Sequence, residues 1–217
     1  MRVRRFVPWS LLCAALLVGF NAAAAPMTRA QARAALAHSE PEQRLAGVRR
    51  LAEIGTQADA DALLGTVGDA DERARVVTVA AVWQIWSRSG DAAVDKLFAQ
   101  GVGQMEAAQF NEALHTFHRI VRRKPAFAEG WNKRATVYFL LGRYQESLKD
   151  CDEVLKRNPK HFGALSGAGQ IHLQLGNARS ALEYFRRALE VNPALDGPSQ
   201  VIPLLEQIVR EQSGRPI

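Results

Sequence analysis

Two consecutive stretches decide the fold: AEGWNKRATVYFLLGRYQESLKDCDEVLKRNPKH at residues 128–161 and FGALSGAGQIHLQLGNARSALEYFRRALEVNPAL at residues 162–195. Each is 34 residues long, and the two align without a gap. Pro159 and Pro193 lie near their ends, and Pro125 lies one further period upstream. Self-similarity at a fixed period of this length predicts an array of stacked helix pairs.

The alignment extends to an upstream unit, and each matching column holds residues of similar character. Small residues occupy the columns where two helices of a pair must cross closely, and large apolar residues occupy others. A proline ends each unit because it disfavours the helical conformation in the residue before it. The columns are Leu97, Trp131 and Leu165; Gly101, Ala135 and Gly169; Ala113, Ser147 and Ala181; Leu114, Leu148 and Leu182; Phe117, Cys151 and Phe185.

The period, small residues, mid-unit turn and closing proline together resemble the tetratricopeptide repeat family. This resemblance implies an all-α, right-handed α-solenoid of stacked antiparallel helix pairs, with repeats at about 94–127, 128–161 and 162–195. A further amphipathic run at about 198–212 resembles the capping helix that shields the last open face of such an array. The repeat domain is therefore expected to cover residues 91–217.

Residues 25–90 lack the 34-residue register but keep a helical spacing of apolar residues. Ser39 with Glu42, and Asp69 with Glu72, have the spacing of capping boxes at helix starts. The order of helix, glycine turn, helix and acidic turn resembles HEAT-like repeats. That resemblance implies a superhelix continuous with the repeat domain.

Trp83 and Trp86 are close together on the last predicted helix of this region. One interpretation has them pack against the first helix of the repeat domain, at Leu97 and Phe98. The other makes them an aromatic anchor for a partner protein. Packing is favoured because large aromatic side chains usually serve cores.

Residues 1–24 have the pattern of a secretory signal peptide. Three arginines among the first five residues precede an apolar run at 11–20 and the small-residue tract Ala22–Ala25. Cleavage after Ala24 predicts a periplasmic protein without a stable membrane span, because the apolar run is shorter than the ~20 residues that a helical span needs. An uncleaved anchor is the alternative.

The charge of the chain argues against nucleic-acid binding. Lys and Arg number 28 and Asp and Glu 22, so removing the three leader arginines lowers the net charge from +6 to +3. A nucleic-acid interface is expected to show a concentrated basic stripe with aromatic stacking partners. Of the two cysteines, only Cys151 follows the leader, and its apolar setting predicts a buried hydrophobe.

No sequence pattern points to an enzyme. A glycine-rich phosphate loop, a nucleophile elbow and a Cys-x-x-Cys motif are all missing from the sequence. His115 and His118 are three residues apart on a predicted outer helix, but no further ligand completes a metal site at recognisable spacing. The sequence therefore predicts a non-enzymatic protein that uses no cofactor and no metal.

The family resemblance implies a protein–protein interaction scaffold that holds a peptide or protein segment in a concave groove. The alternative is a cell-envelope assembly or structural component that acts by self-association or within a larger complex. In this family the first helix of each repeat lines the groove. The residues at those positions are Asp95, Phe98, Val102 and Met105; Glu129, Asn132, Lys133, Thr136 and Phe139; and Ser166, Gln170 and Leu173.

The resemblance also bears on the kind of ligand. Family members that clamp a C-terminal carboxylate use Lys, Arg and Asn at groove positions, and here Phe98 and Val102 replace two of them. Only Asn132 and Lys133 remain, so apolar anchors on an amphipathic helix or extended segment are the expected ligand. The competing interpretation is that Phe98 and Met105 pack against the N-terminal helices and leave no strong site.

Overall fold

A computed structural model describes residues 25–214, which form eleven α-helices and no strand. The predicted signal peptide, residues 1–24, lies outside the described residues. The all-α prediction is confirmed. The helices are α1 (Arg29–Ala35), α2 (Pro41–Ile54), α3 (Gln57–Leu64), α4 (Glu72–Trp86), α5 (Ala92–Glu106), α6 (Phe110–Arg123), α7 (Ala128–Leu140), α8 (Tyr144–Arg157), α9 (Phe162–Gln174), α10 (Ala178–Val191) and α11 (Asp196–Gln212).

Helices α5 to α10 form three antiparallel pairs that follow the period of the sequence. The second helices of the pairs, α6, α8 and α10, begin at intervals of 34 residues. Gly142 and Gly176 end α7 and α9 with φ of +71° and +72°, the left-handed conformation that glycine adopts without steric cost. Ala108 takes the equivalent position after α5 with φ of +55°.

The small-residue columns lie where the helices of a pair touch. A Cβ atom added to Gly101 would come within 2.7 Å of the Phe117 ring, and one added to Gly169 within 2.6 Å of the Phe185 ring. The helices can approach this closely only because these positions carry no side chain. Helix α11 packs on α10 around the buried Leu205 and covers the end of the array.

Helices α1 to α4, which we call the N-terminal unit (residues 25–90), pack around an apolar cluster that Phe162 of α9 also joins. The sequence pattern missed α1, and it misplaced two helix starts. Glu40, not Ser39, precedes α2. Asp71, not Asp69, caps α4 by accepting the backbone N–H groups of its first turn, while Asp69 accepts two hydrogen bonds from Arg44.

The last helix of the N-terminal unit packs against the start of α9. The indole of Trp86 stacks on the imidazole of His161, with 4.3 Å between ring centroids and 19° between planes. Trp83 meets the Phe162 ring edge-on at 5.2 Å. Val191 and Leu195 pack against the same apolar cluster. We call this contact between α4 and the repeat array the seam.

The seam corrects the sequence-based interpretation of the tryptophans. Leu97 and Phe98 belong to the apolar cluster of the first repeat, whereas Trp83 and Trp86 belong to that of the N-terminal unit. The packing interpretation was right that both tryptophans pack within the protein, Trp86 buried and Trp83 half-buried, and wrong about the partner. The last helix of the N-terminal unit therefore contacts the start of α9.

Candidate protein-binding groove

The twelve predicted groove residues differ in their exposure to solvent. They lie on α5, α7 and α9, the first helices of the three repeats. Buried are Phe98, Glu129 and Asn132; half-buried are Asp95, Val102, Met105, Lys133, Phe139, Ser166 and Leu173; exposed are Thr136 and Gln170.

The apolar residues predicted for the first repeat serve its core. The Phe98 ring packs edge-on against Phe117 and Phe127, at centroid distances of 6.1 and 5.4 Å. Val102 and Met105 pack against the same cluster. The alternative that Phe98 and Met105 pack against the N-terminal helices is wrong about the partner, because their neighbours come from the repeat array itself.

A buried polar cluster occupies the start of α7. The Glu129 carboxylate accepts hydrogen bonds from His161 Nε2 at 2.9 Å and from the Asn132 amide at 3.1 and 3.2 Å. The Lys133 ammonium lies 3.3 Å from the same carboxylate. The side chains of Glu129 and His161 are both 0% exposed. Asn132 and Lys133, the two residues left for a carboxylate clamp, are thus already engaged by an internal carboxylate.

The proton positions in this cluster follow from its geometry. His161 Nδ1 accepts the backbone N–H of Ala164 at 3.0 Å, so the ring proton must lie on Nε2, which donates it to Glu129. Burial acts to raise the pKa of Glu129, but the hydrogen bond from His161 and the positive charge of Lys133 hold that pKa below its ordinary value. Glu129 is therefore a satisfied internal carboxylate at neutral pH.

The N-terminal unit covers this end of the groove. The Lys133 ammonium lies 5.6 Å from the centroid of the Trp83 indole, a cation–π geometry. A Cβ atom on Gly163 would come within 2.5 Å of the same indole. The Trp83 indole therefore covers the Lys133 and Gly163 positions near the starts of α7 and α9.

The other part of the groove stays open as an apolar cleft of about 150 Å³ between α7 and α9, with α8 as its floor. The exposed side chains of Thr136 and Gln170 flank it, and four predicted groove residues meet there. We call it the concave cleft. Its lining is Asn132, Ala135, Thr136, Phe139, Ser147, Cys151, Gly163, Gly167, Gln170 and Ile171.

Sequence analysis did not identify the residues of α8 or the glycines of α9 that line the concave cleft. At Gly163 a side chain has no room, because an added Cβ atom would come within 2.5 Å of the Trp83 indole. A Cβ atom added to Gly167 would meet no side chain closer than Cys151 Sγ at 3.9 Å, so the missing side chain leaves open space. Cys151 is 2% exposed, which confirms that its side chain is buried. Burial and nearby Asp150 and Asp152 raise the pKa of its thiol to about 12.

Replacing the two glycines of the cleft by alanine is expected to change the stability of the protein in opposite directions. Gly167→Ala should raise the free energy of unfolding by about 0.5–1 kcal/mol, because alanine is the better helix former and meets only an ordinary contact. Gly163→Ala should lower it by about 1–3 kcal/mol, because the new methyl group collides with Trp83. Urea unfolding of both variants measures the difference. Equal stabilisation by both would mean that Trp83 does not lie on α9.

Over residues 25–214, no helix is long and apolar enough to cross a membrane. The same span brings together no group of three or more His, Cys, Asp or Glu side chains suited to a metal ion. His115 is exposed, and His118 contacts the Leu114 carbonyl at 2.8 Å and the Tyr138 hydroxyl at 3.3 Å. Both ring nitrogens of His118 therefore already contact protein atoms.

Known proteins resemble part of the chain. The tetratricopeptide repeat family model matches residues 127–194. A tetratricopeptide repeat-containing protein of Rhizobium etli is 37% identical over 109 residues, which are 50% of this chain and 53% of that protein. The human DnaJ homolog subfamily C member 7 is 30% identical over 93 residues, 43% of this chain and 19% of that protein. The chain thus spans about half, or less, of the length of these relatives.

Solved structures show the same fold. The first tetratricopeptide domain of Spaghetti (RPAP3), bound to the Hsp90 peptide SRMEEVD, superposes with a TM-score of 0.52 at 20% identity, covering 54% of this chain and 92% of that one. The Sgt2 tetratricopeptide domain from Aspergillus fumigatus superposes with a TM-score of 0.53 at 18% identity, covering 57% and 83%. At this level of identity the likeness establishes the helical repeat architecture.

Proposed function

Because the C-terminal half of this chain is an array of tetratricopeptide repeats, a scaffold for protein–protein interactions, we propose that it binds one apolar side chain of a partner segment in the concave cleft. The observation that carries the proposal is the cleft itself, an apolar opening between α7 and α9. Its polar flanks, Thr136 and Gln170, offer hydrogen bonds to the backbone of an extended or helical segment.

The size of the concave cleft supports a single anchor. A cavity of about 150 Å³ lined by apolar groups accepts a ligand as large as benzene in other proteins. The cleft of this chain has the same order of volume, which suits one Leu, Ile, Met or Phe side chain. Neighbouring residues of the partner would cross the exposed flanks and contribute less to affinity.

The charges around the groove argue for an apolar ligand over a terminal carboxylate. Asn132 and Lys133 point their polar atoms at Glu129. A partner carboxylate would compete with an internal carboxylate that is fully desolvated, which is costly for both groups. The acidic peptide held by the RPAP3 domain is therefore not a model for the ligand of this chain.

We also propose that the protein is non-enzymatic. The concave cleft presents hydroxyl, amide and apolar groups, and its one thiol has its pKa raised to about 12. A nucleophile needs an activated state near neutral pH, which this sulfur lacks. The second candidate function is self-association within a cell-envelope assembly. In that case a second copy of the chain would occupy the same cleft.

The proposed location is the periplasm, reached through a cleaved signal peptide. The proposal rests on residues 1–24, which combine a basic start, an apolar run and an alanine tract, the features of a secretory signal peptide. The expected mature chain begins at Ala25, and the intact mass of the protein from the periplasmic fraction measures this. A mass that retains the leader would contradict both cleavage and a free periplasmic protein.

Site-directed photo-crosslinking tests the proposed function. A photoreactive residue replaces Thr136 or Gln170 beside the cleft, and in control variants Glu183 or Arg186, which are exposed on α10. We expect a foreign protein to crosslink at the two cleft positions and not at the controls. Crosslinks to a second copy of the chain would favour self-association, and crosslinks confined to α10 would refute the groove as the binding surface.

A further inference from the structure

A second cavity lies on the other side of the seam, away from the concave cleft. It measures about 550 Å³ and opens between α3, the end of α4, and the turns that join α6 to α7 and α8 to α9. Volumes of this order are typical of small-molecule sites. We call it the seam cavity, since both the N-terminal unit and the repeats contribute to its walls.

The seam cavity is lined by more positive than negative charge. Four cations face it: Arg88 from the N-terminal unit, and Lys124, Arg157 and Lys160 from the two turns. The acidic residues in its lining are Asp61 and Glu129. Glu129 is already neutralised by hydrogen bonds from His161 and by Lys133. The lining therefore carries an excess of positive charge.

Two of these cations are fixed in place by the protein. Arg88 donates hydrogen bonds to the carbonyls of Glu53 at 2.6 Å and Gly55 at 3.0 Å. Arg157 pairs with the Glu153 carboxylate at 2.7 Å and also donates to the Pro125 carbonyl. Their guanidinium groups are thus held at the cavity before any ligand arrives, which reduces the entropy that binding would cost.

The other two cations have no such partner. Within residues 25–214, neither the Lys124 nor the Lys160 ammonium makes a hydrogen bond or an ion pair. Lys160 is exposed, and Lys124 lies beside the linker at Gly90. Like charges gathered in a concave space bounded by buried apolar side chains, here Trp86 and Phe127, raise the local potential and attract anions.

We propose that the seam cavity binds a small multivalent anion, a phosphate or polycarboxylate group, through Lys124 and Lys160, with Arg88, whose partners are neutral carbonyls, contributing positive potential. A compact anion suits the site because its several oxygens can meet two ammonium groups while its charge offsets their mutual repulsion. Since Arg88 belongs to the N-terminal unit and both lysines to the repeats, a bound anion would also hold the two parts together.

The test uses the whole mature protein with inorganic phosphate or citrate as the probe, at constant ionic strength set with sodium chloride. The double variant Lys124→Gln with Lys160→Gln removes the two unpaired ammonium groups. Its control, Lys96→Gln with Lys149→Gln, removes the same charge from exposed positions on α5 and α8 that do not line the cavity. Isothermal titration calorimetry measures binding, and circular dichroism verifies folding of all three proteins.

We expect saturable binding of at least one probe to the native protein and the control. The Lys124/Lys160 variant should bind it at least about tenfold more weakly, since it loses two charge-assisted contacts. Binding of phosphate alone or of citrate alone would support the site and identify the anion class. The proposal is overturned if neither probe saturates, or if the control loses as much affinity as the cavity variant. Neither result bears on the concave cleft.

Discussion

Glu129→Ala is expected to lower the free energy of unfolding by about 3–5 kcal/mol, the usual cost of removing one member of a buried ionic cluster. The change leaves the Nε2–H of His161 and the Asn132 amide without their acceptor in a dry environment. Urea unfolding measures the loss. The control is Glu146→Ala, which removes an exposed i,i+3 pair with Arg143 and should change little.

The pH dependence of the Glu129→Ala effect gives an independent test. The folded-state pKa of Glu129 is lowered, so its contribution is present above the unfolded-state pKa of about 4.3 and is lost as pH falls through the lower folded value. The stability difference between the native protein and Glu129→Ala should therefore be constant near neutral pH and shrink in strong acid. A difference that stays the same down to strong acid would contradict an ionised Glu129 in the folded protein.

Trp86→Ala should cost about 3–5 kcal/mol, because it removes a large buried aromatic side chain. Trp86 is 4% exposed and stacks on His161, so the loss falls on the seam. Trp131→Ala is the matched control, since Trp131 is half-buried between Arg134 and Arg157 on the array and should cost less.

Hydrogen exchange separates the seam from general destabilisation. In Trp86→Ala the amides of α4 and of the start of α9 should exchange faster, while those of the first repeat keep their protection. Uniform loss of protection over the whole chain would mean that the N-terminal unit and the repeats form one cooperative block. Unchanged stability would mean that Trp86 does not hold the seam.

The helical repeat fold could be predicted from the sequence because its signal is local and periodic. The prolines at a 34-residue spacing and the columns of small residues fix where helices start, end and cross. The structure keeps that register, including the left-handed Gly142 and Gly176. Stacking of neighbours then follows from the open apolar faces that each pair leaves.

The groove could be predicted only in outline. Its helices were identified through the family resemblance, but which side chains remain accessible depends on a contact between residues far apart in sequence. Trp83 packs against Phe162 and Gly163, which follow it by about eighty residues in the sequence. No local sequence pattern links these positions. For the same reason Glu129, assigned to the groove by position, has its carboxylate buried under the seam with His161.

The most direct test of the concave cleft is a comparison of partner affinity for two glycine variants. Gly167→Leu places a large side chain in the cleft, and Gly103→Leu places the same side chain at an exposed position of α5 with no neighbour within 4 Å. The ligand is the segment identified by photo-crosslinking, and its Kd is measured by fluorescence anisotropy. We predict a loss of about tenfold or more for Gly167→Leu, at least ~1.4 kcal/mol, and native affinity for Gly103→Leu. Native affinity for Gly167→Leu, in a folded protein, would contradict binding in the concave cleft.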